Sequence, residues 1–233
     1  MDYKHNKKTI AALQRSKLFA ALTSEEIESI LQNSYLTIKN FNKDDYIAYQ
    51  GDECFSVGIV MEGSAVIKKL FASGNAVTIA TIKPLSIFGE ALIFSSNNKY
   101  PSTIIAAEKM KVIFIAKDSI IKMCSANNRL LRNYLAMLSD KMLMLVNKIE
   151  YLSYQTIKQK LAALFLEQYS LQSNKQIISL PYNRKEMAEE LGITRPSLSR
   201  EMAKLKKDKI IDYRKNIVEI MDLNKLESIL KDD

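Results

Sequence analysis

The sequence predicts an α+β chain in three consecutive parts: a β-roll or jelly roll over residues 1–126, a long helix over 127–153, and a winged helix-turn-helix over 154–233. Three observations carry this. Five of the six glycines (Gly51, Gly58, Gly63, Gly74, Gly89) fall between residues 51 and 89, among short β-rich runs separated by turn signals. The stretch from Asn127 to Leu152 holds neither glycine nor proline and repeats apolar residues at helical spacing. Residues 183–205, NRKEMAEELGITRPSLSREMAKL, contain the start signals and the turn of two short helices in succession.

In chain order, Thr23-Ser24-Glu25-Glu26 forms a capping box that opens a helix carrying Ile27, Ile30 and Leu31. Six strands are expected after it: Tyr46–Tyr49, Ser56–Met61, Ala65–Phe71, Val77–Ile82, Thr103–Ala106 and Val112–Ile115. Gln50-Gly51-Asp52, Ser73-Gly74-Asn75 and Ser96-Asn97-Asn98 are the turn signals between them. Short strands at regular spacing, punctuated in this way, close into a barrel or jelly roll.

Within the long helix, Leu131, Leu135, Leu138, Met142, Leu145, Ile149 and Leu152 alternate at spacings of four and three. That is a heptad seam, the pattern by which one helix pairs with another. It predicts a dimerisation helix, with a single wide core stripe inside one monomer as the alternative. A second stripe, Leu130, Tyr134, Met137 and Met144, lies beside the seam and is expected to pack on the barrel.

A break near Ser153 precedes a helix over Thr156–Ser170, whose apolar residues are Leu161, Leu164, Phe165 and Leu166. Polar Leu171–Gln176 reads as a loop, and Ile177–Leu180 as a short strand. Asn183 and Glu186 then start a short helix that buries Met187, Ala188 and Leu191. Gly192 stands where that helix must end in a left-handed residue. Thr194 caps the next helix, and Pro196 falls in its first turn, where a missing N–H costs nothing. Leu198, Met202 and Leu205 face inward, leaving Arg195, Ser197, Ser199 and Arg200 facing outward. A short helix presenting arginines and hydroxyls from its N-terminal end is what a major-groove reader needs. An ordinary helical hairpin has the same spacing, but the next segment argues against it. Lys209–Tyr213 and Ile217–Met221 read as two strands around Arg214-Lys215-Asn216, which completes a wing. Lys206, Lys207, Arg214 and Lys215 are placed to reach phosphates.

Composition bounds the function. The formal net charge is +8, and between Arg195 and Lys215 eight basic residues face three acidic ones. Nucleic acid suits that charge, as a membrane surface also would. No run of roughly 18 apolar residues exists, and the N-terminus lacks the apolar stretch of a signal peptide. A cytoplasmic location without membrane association is therefore expected. Cys54 and Cys124 form no CxxC and read as reduced, buried thiols. His5 is the only histidine, which argues against histidine-held metal or haem and against Ser-His or Cys-His catalysis. No phosphate-cradling glycine loop is present, and Glu25-Glu26, Asp44-Asp45 and Glu189-Glu190 fit helix starts, turns or solvated faces. No catalytic residue, metal site or enzyme activity is expected.

The order of β-roll, long helix and winged helix-turn-helix resembles the Crp/Fnr family of bacterial transcription regulators. The resemblance is carried by Leu18-Phe19-x-x-Leu22-Thr23-x-Glu25-Glu26, the Gly51-Asp52 turn, Gly63 in Met-Glu-Gly-Ser, Phe88-Gly89-Glu90, and above all Arg184 through Leu205. It implies a homodimer on near-palindromic double-stranded DNA that recruits or blocks RNA polymerase, with an effector bound in the β-roll. It also implies that Arg184 contacts phosphate while Arg195 and Arg200 read guanines. Pro196 stands where several members carry an acidic base reader, so that specificity is lost or passes to Ser197. In cyclic-nucleotide binders Gly-Glu is followed by Arg-Ser/Thr, whose arginine pairs with the cyclic phosphate. Here Gly89-Glu90 is followed by Lys99-Tyr100-Pro101-Ser102-Thr103, without the arginine. An unpaired phosphate in that pocket would cost several kcal/mol, so cyclic AMP is not expected as a ligand. The helix stretch expected to face the pocket, Leu143–Val146, offers no hydroxyls. The cysteine cluster of iron–sulfur members is missing, and so is a histidine for haem. The reading is a regulator with a degenerate cyclic-nucleotide pocket and an effector of unknown identity. A ligand-sensing module acting mainly through protein contacts, with residual DNA binding, is the alternative.

Overall fold

The computed structural model describes residues 7–32, 34–71 and 76–231, so His5 and the Ser73-Gly74-Asn75 turn lie outside the described residues. The chain divides into two compact units, residues 1–140 and 141–233.

The first unit opens with α1 (Lys7–Gln14), a 3-10 turn (Lys17–Phe19) and α2 (Ser24–Gln32). The capping box of α2 forms as its sequence implies: Glu26 N donates to Thr23 Oγ1 (3.2 Å) and Thr23 N to the Glu26 carboxylate (2.8 Å). Eight strands follow: β1 (Leu36–Phe41), β2 (Tyr46–Ala48), β3 (Ser56–Glu62), β4 (Ala65–Leu70), β5 (Ala76–Ile82), β6 (Ile87–Phe88), β7 (Thr103–Ala106) and β8 (Met110–Ala116). They form two four-stranded antiparallel sheets, ordered β1-β8-β3-β6 and β2-β7-β4-β5. Val57, Ile59, Val60, Val112, Ile113 and Ile115 are buried in one sheet and Ala65, Ile104 and Ala106 in the other, so both contribute to one core.

Two of these strands lie outside the sequence expectation. In β1, Asn40 interrupts the apolar alternation, and its partner is distant in sequence, with Leu36 opposite Ile115. Strand β6 is only two residues long. Helix α3 (Lys117–Ala126) leads into α4 (Asn128–Ser153), which carries the seam. Leu130, Tyr134 and Met137 are buried on the first unit, as the second stripe implies. Met144 is exposed instead, because it lies beyond the turns of α4 that belong to the first unit. Arg129 ties the start of α4 to the Glu26 carboxylate (3.1 Å) and to the Ala21 carbonyl (3.0 Å), and Asn133 donates to the Leu18 and Ala20 carbonyls.

The second unit holds the end of α4, then α5 (Ile157–Leu171), β9 (Ile177–Ser179), α6 (Arg184–Glu190), α7 (Arg195–Lys207), β10 (Ile211–Arg214), β11 (Ile217–Ile220) and α8 (Leu223–Ser228). Thr156 is the cap of α5 rather than its first residue, in a full capping box with Gln159. Helix α5 continues through Leu171, one residue past its expected end. The three strands form an antiparallel sheet ordered β10-β11-β9. Strand β10 begins two residues later than its spacing implies, because Lys209 (φ +54°) closes α7 in the left-handed conformation. The core gathers Tyr151, Phe165, Ile178, Met187, Leu198, Met202, Leu205 and Val218. Near the end of α4, the Glu167 carboxylate accepts from the Asn147 side-chain amide and the Tyr151 hydroxyl.

Candidate nucleic-acid interface

The helix-turn-helix is built by local hydrogen bonds that follow from its sequence. Asn183 Oδ1 accepts from the N–H groups of Lys185 (2.9 Å) and Glu186 (3.0 Å), and Glu186 answers with its carboxylate to Asn183 N (3.1 Å). At the other end of α6, Ile193 N donates to Ala188 O (2.9 Å) and Gly192 N to Glu189 O (3.3 Å). That paired closure needs a left-handed residue, and Gly192 supplies it at φ +64°. Leu152, at the end of α4, lies against the same turn, with its Cδ2 2.8 Å from where a Cβ on residue 192 would stand. Thr194 Oγ1 then accepts from Ser197 N (3.3 Å) to start α7.

Helix α7 buries Leu198, Met202 and Leu205 against α5 and α6. Its other face leaves Arg195, Pro196, Ser199 and Arg200 exposed and Ser197 partly exposed. Ser197 is not a free hydroxyl: its Oγ accepts from Thr194 Oγ1 (2.9 Å) and from the Arg200 guanidinium (3.3 Å). The structure thus joins two of the expected readers into one unit, with Ser197 orienting Arg200.

The wing turns on two residues, Lys215 (φ +56°) and Asn216, between the facing pair Arg214 and Ile217. Arg214 and Lys215 are exposed at its tip. Lys206 pairs with the Asp212 carboxylate, which holds the lysine above its ordinary pKa and, together with the Tyr213 N–H, holds Asp212 below its own. Arg184 is half-buried, with its guanidinium 4.7 Å from the Tyr213 ring centre and against the Met202 sulfur. Burial lowers its pKa from the ordinary arginine value. Lys206 Nζ lies 5.4 Å from the same ring. Sequence spacing does not single out Tyr213, since its two partners lie at other points of the chain.

In the β-roll, Gly89 takes φ +80°, and a Cβ there would stand 2.9 Å from Ser56 O and 3.0 Å from Cys54 Sγ. Glu90, Tyr100, Ser102 and Thr103 are buried, whereas Lys99 and Pro101 are exposed. Tyr100 directs its hydroxyl to Cys54, and burial followed by that contact pushes its pKa up. Thr103 Oγ1 accepts from Gln50 N (3.1 Å), and the Pro101 carbonyl from Lys69 Nζ (3.0 Å). The α4 residue that meets this stretch is Tyr134, whose hydroxyl donates to Glu90 O (2.6 Å) while Phe94 packs edge-on against its ring. Leu143–Val146, expected from the resemblance to face the pocket, are exposed.

Along the seam, Leu135, Met142, Leu145, Ile149 and Leu152 are each more than half exposed, Leu131 is 37% exposed, and Leu138 is partly buried against the first unit.

A capped reading helix beside a basic wing defines a helix-turn-helix protein, and comparison with known families places it. A family model for the cyclic nucleotide-binding domain matches residues 38–127, and one for the Crp-like helix-turn-helix domain matches residues 159–229. The global nitrogen regulator of Synechococcus elongatus is 22% identical over 192 residues, which is 79% of this chain and 86% of that protein. The cyclic AMP receptor protein of Thermus thermophilus is 21% identical over 217 residues, 93% of this chain and 98% of that protein. The crystal structure of the Thermus thermophilus catabolite activator protein superposes with a TM-score of 0.52 at 21% identity, covering 93% of this chain and 99% of that one. The chain belongs to the Crp/Fnr family: it is a helix-turn-helix transcription regulator with a cyclic nucleotide-binding domain. Among the described residues, no helix is long and apolar enough to cross a membrane.

Proposed function

We propose that the protein acts in the cytoplasm as a homodimer that reads a near-palindromic operator with α7. The observation that carries this is the exposed group of Arg195, Ser199 and Arg200 on a helix whose start, preceding turn and buried face are all held by hydrogen bonds and core packing. Arg195 and Arg200 read guanine edges through two-pronged donors, and Ser197 fixes the approach of Arg200. Arg184, Lys206, Arg214 and Lys215 contact phosphates and set affinity. Pro196 offers no side-chain donor or acceptor, so the operator differs from that of relatives with an acidic reader there. Dimer geometry sets half-site spacing at about one helical turn. RNA polymerase is the expected downstream partner.

The β-roll on this reading takes an effector other than a cyclic nucleotide, haem or an iron–sulfur cluster. Position 101 offers a proline, its carbonyl already engaged by Lys69, where a phosphate would need an arginine. Tyr100 turns its hydroxyl inward to Cys54.

Selection of bound sequences from a random DNA pool, with and without cell metabolites, tests both parts. A palindromic consensus enriched by the unaltered protein is expected. Arg200→Ala is expected to cost roughly 1–3 kcal/mol on that consensus and to relax preference at one base pair. Equal weakening on every sequence would remove Arg200 from the reading role, and no enrichment at all would sink the operator model.

A further inference from the structure

We infer that Tyr213 is the positioning residue of the phosphate clamp, holding Arg184 and Lys206 ready before DNA arrives. This rests on the DNA-binding reading above and extends it to a residue that touches no base or phosphate itself. Arg184 begins α6, Lys206 lies in the last turn of α7, and Tyr213 lies on β10, so three elements of the second unit meet at one ring. The guanidinium stands 4.7 Å and the ammonium 5.4 Å from the ring centre, both within the range at which an aromatic face attracts a cation.

Long cationic side chains ordinarily pay rotamer entropy when a phosphate fixes them. Here much of that ordering is already complete. Arg184 is half-buried between the ring and Met202, and it is charged despite the desolvation that lowers its pKa. Lys206 is steered on one side by the ring and on the other by Asp212. Within the sheet, Tyr213 stands opposite Val218 and its ring packs against the core of the second unit, so the ladder and the core together fix its position. Losing the ring would leave both cations present but unplaced.

The dependence of DNA affinity on salt reads this directly, because each phosphate contact contributes about 0.9 to the slope of log affinity against log salt. Tyr213→Phe keeps the ring and is expected to retain the slope and affinity of the unaltered protein. Tyr213→Leu is expected to flatten the slope by about one to two and to weaken binding roughly tenfold at low salt, equally on operator and random DNA. Tyr213→Val, which suits a strand, provides the same test if the leucine variant does not fold. A tyrosine that merely stabilised the wing would change the folded fraction and leave the slope alone. An unchanged slope in both folded aliphatic variants overturns the inference, as does a phenylalanine variant that loses as much as leucine. Absence of salt-dependent DNA binding by the unaltered protein would instead overturn the reading on which the inference rests.

Discussion

Asp212 sits beside the clamp with the wrong sign for DNA. Its carboxylate accepts from Lys206 Nζ and from Tyr213 N, and these bonds hold its pKa below the ordinary aspartate value. It therefore contributes stability above its unfolded pKa, and that contribution is lost as pH falls through the lower folded value. Both partners are half exposed, so the pair itself adds little to the fold. On the DNA-binding reading proposed above, its larger effect is on binding, since it partly neutralises a lysine assigned to phosphate contact. Asp212→Asn is expected to tighten DNA several-fold and to steepen the salt slope by up to one unit, measured by titration over a salt series. A slope that stays constant would place Lys206 outside the DNA contact. Lys209 is a second residue whose conformation exceeds its chemistry. It occupies a left-handed helix stop at φ +54°, where its Cβ costs roughly 1–2 kcal/mol. Lys209→Gly is expected to raise unfolding stability by about 1 kcal/mol in a denaturant melt.

At the scale of elements, α4 is the part with an unfinished surface. Six of its seam residues are exposed, and burying each against a like partner is worth about 1.5–3 kcal/mol, on the order of 10 kcal/mol per copy. That is comparable with the 4–15 kcal/mol that association costs in lost freedom, so a second copy contributing the same again makes pairing favourable. Leu145→Asp combined with Ile149→Asp is expected to give a species near the chain mass of 26.5 kDa in sedimentation, with the helical signal retained. A persistent dimer in that variant would move the interface off the seam. The capping elements show why some of the site was legible in sequence. Asn183 with Glu186, Gly192, and Thr194 act over three or four residues, so their spacing alone implies their bonds. What was not legible acts across the chain. Strand β1 is recognisable only beside β8, Tyr213 only beside Arg184 and Lys206, and the Cys54–Tyr100–Gly89 contact only once the sheets have closed. The α4 hydroxyl at Glu90 was missed because Tyr134, read by periodicity, counts as one more apolar residue in a stripe.

At the scale of the whole molecule, the three buried phenols among the described residues make alkaline pH the informative axis. Burial raises the pKa of Tyr100 and Tyr134 in the first unit and of Tyr151 in the second. An unfolded tyrosine ionises near pH 10, so above about that value the unfolded chain binds fewer protons than the folded one and stability falls as pH rises. Tyr151→Phe removes a donor to Glu167 and is expected to cost about 1–2 kcal/mol at neutral pH. The same variant is expected to lose stability less steeply above pH ~10, a crossing of effects that paired melts at the two pH values will detect. A parallel loss at both would assign Tyr151 a packing role only.

The exposed seam on α4 also bears on dose. When a reading unit is complete only as a pair, operator occupancy below the dimer dissociation constant rises with the square of the protein's concentration. On the homodimer reading proposed above, the amount of this regulator in the cell becomes a signal in its own right, and modest changes in its synthesis are amplified at the operator.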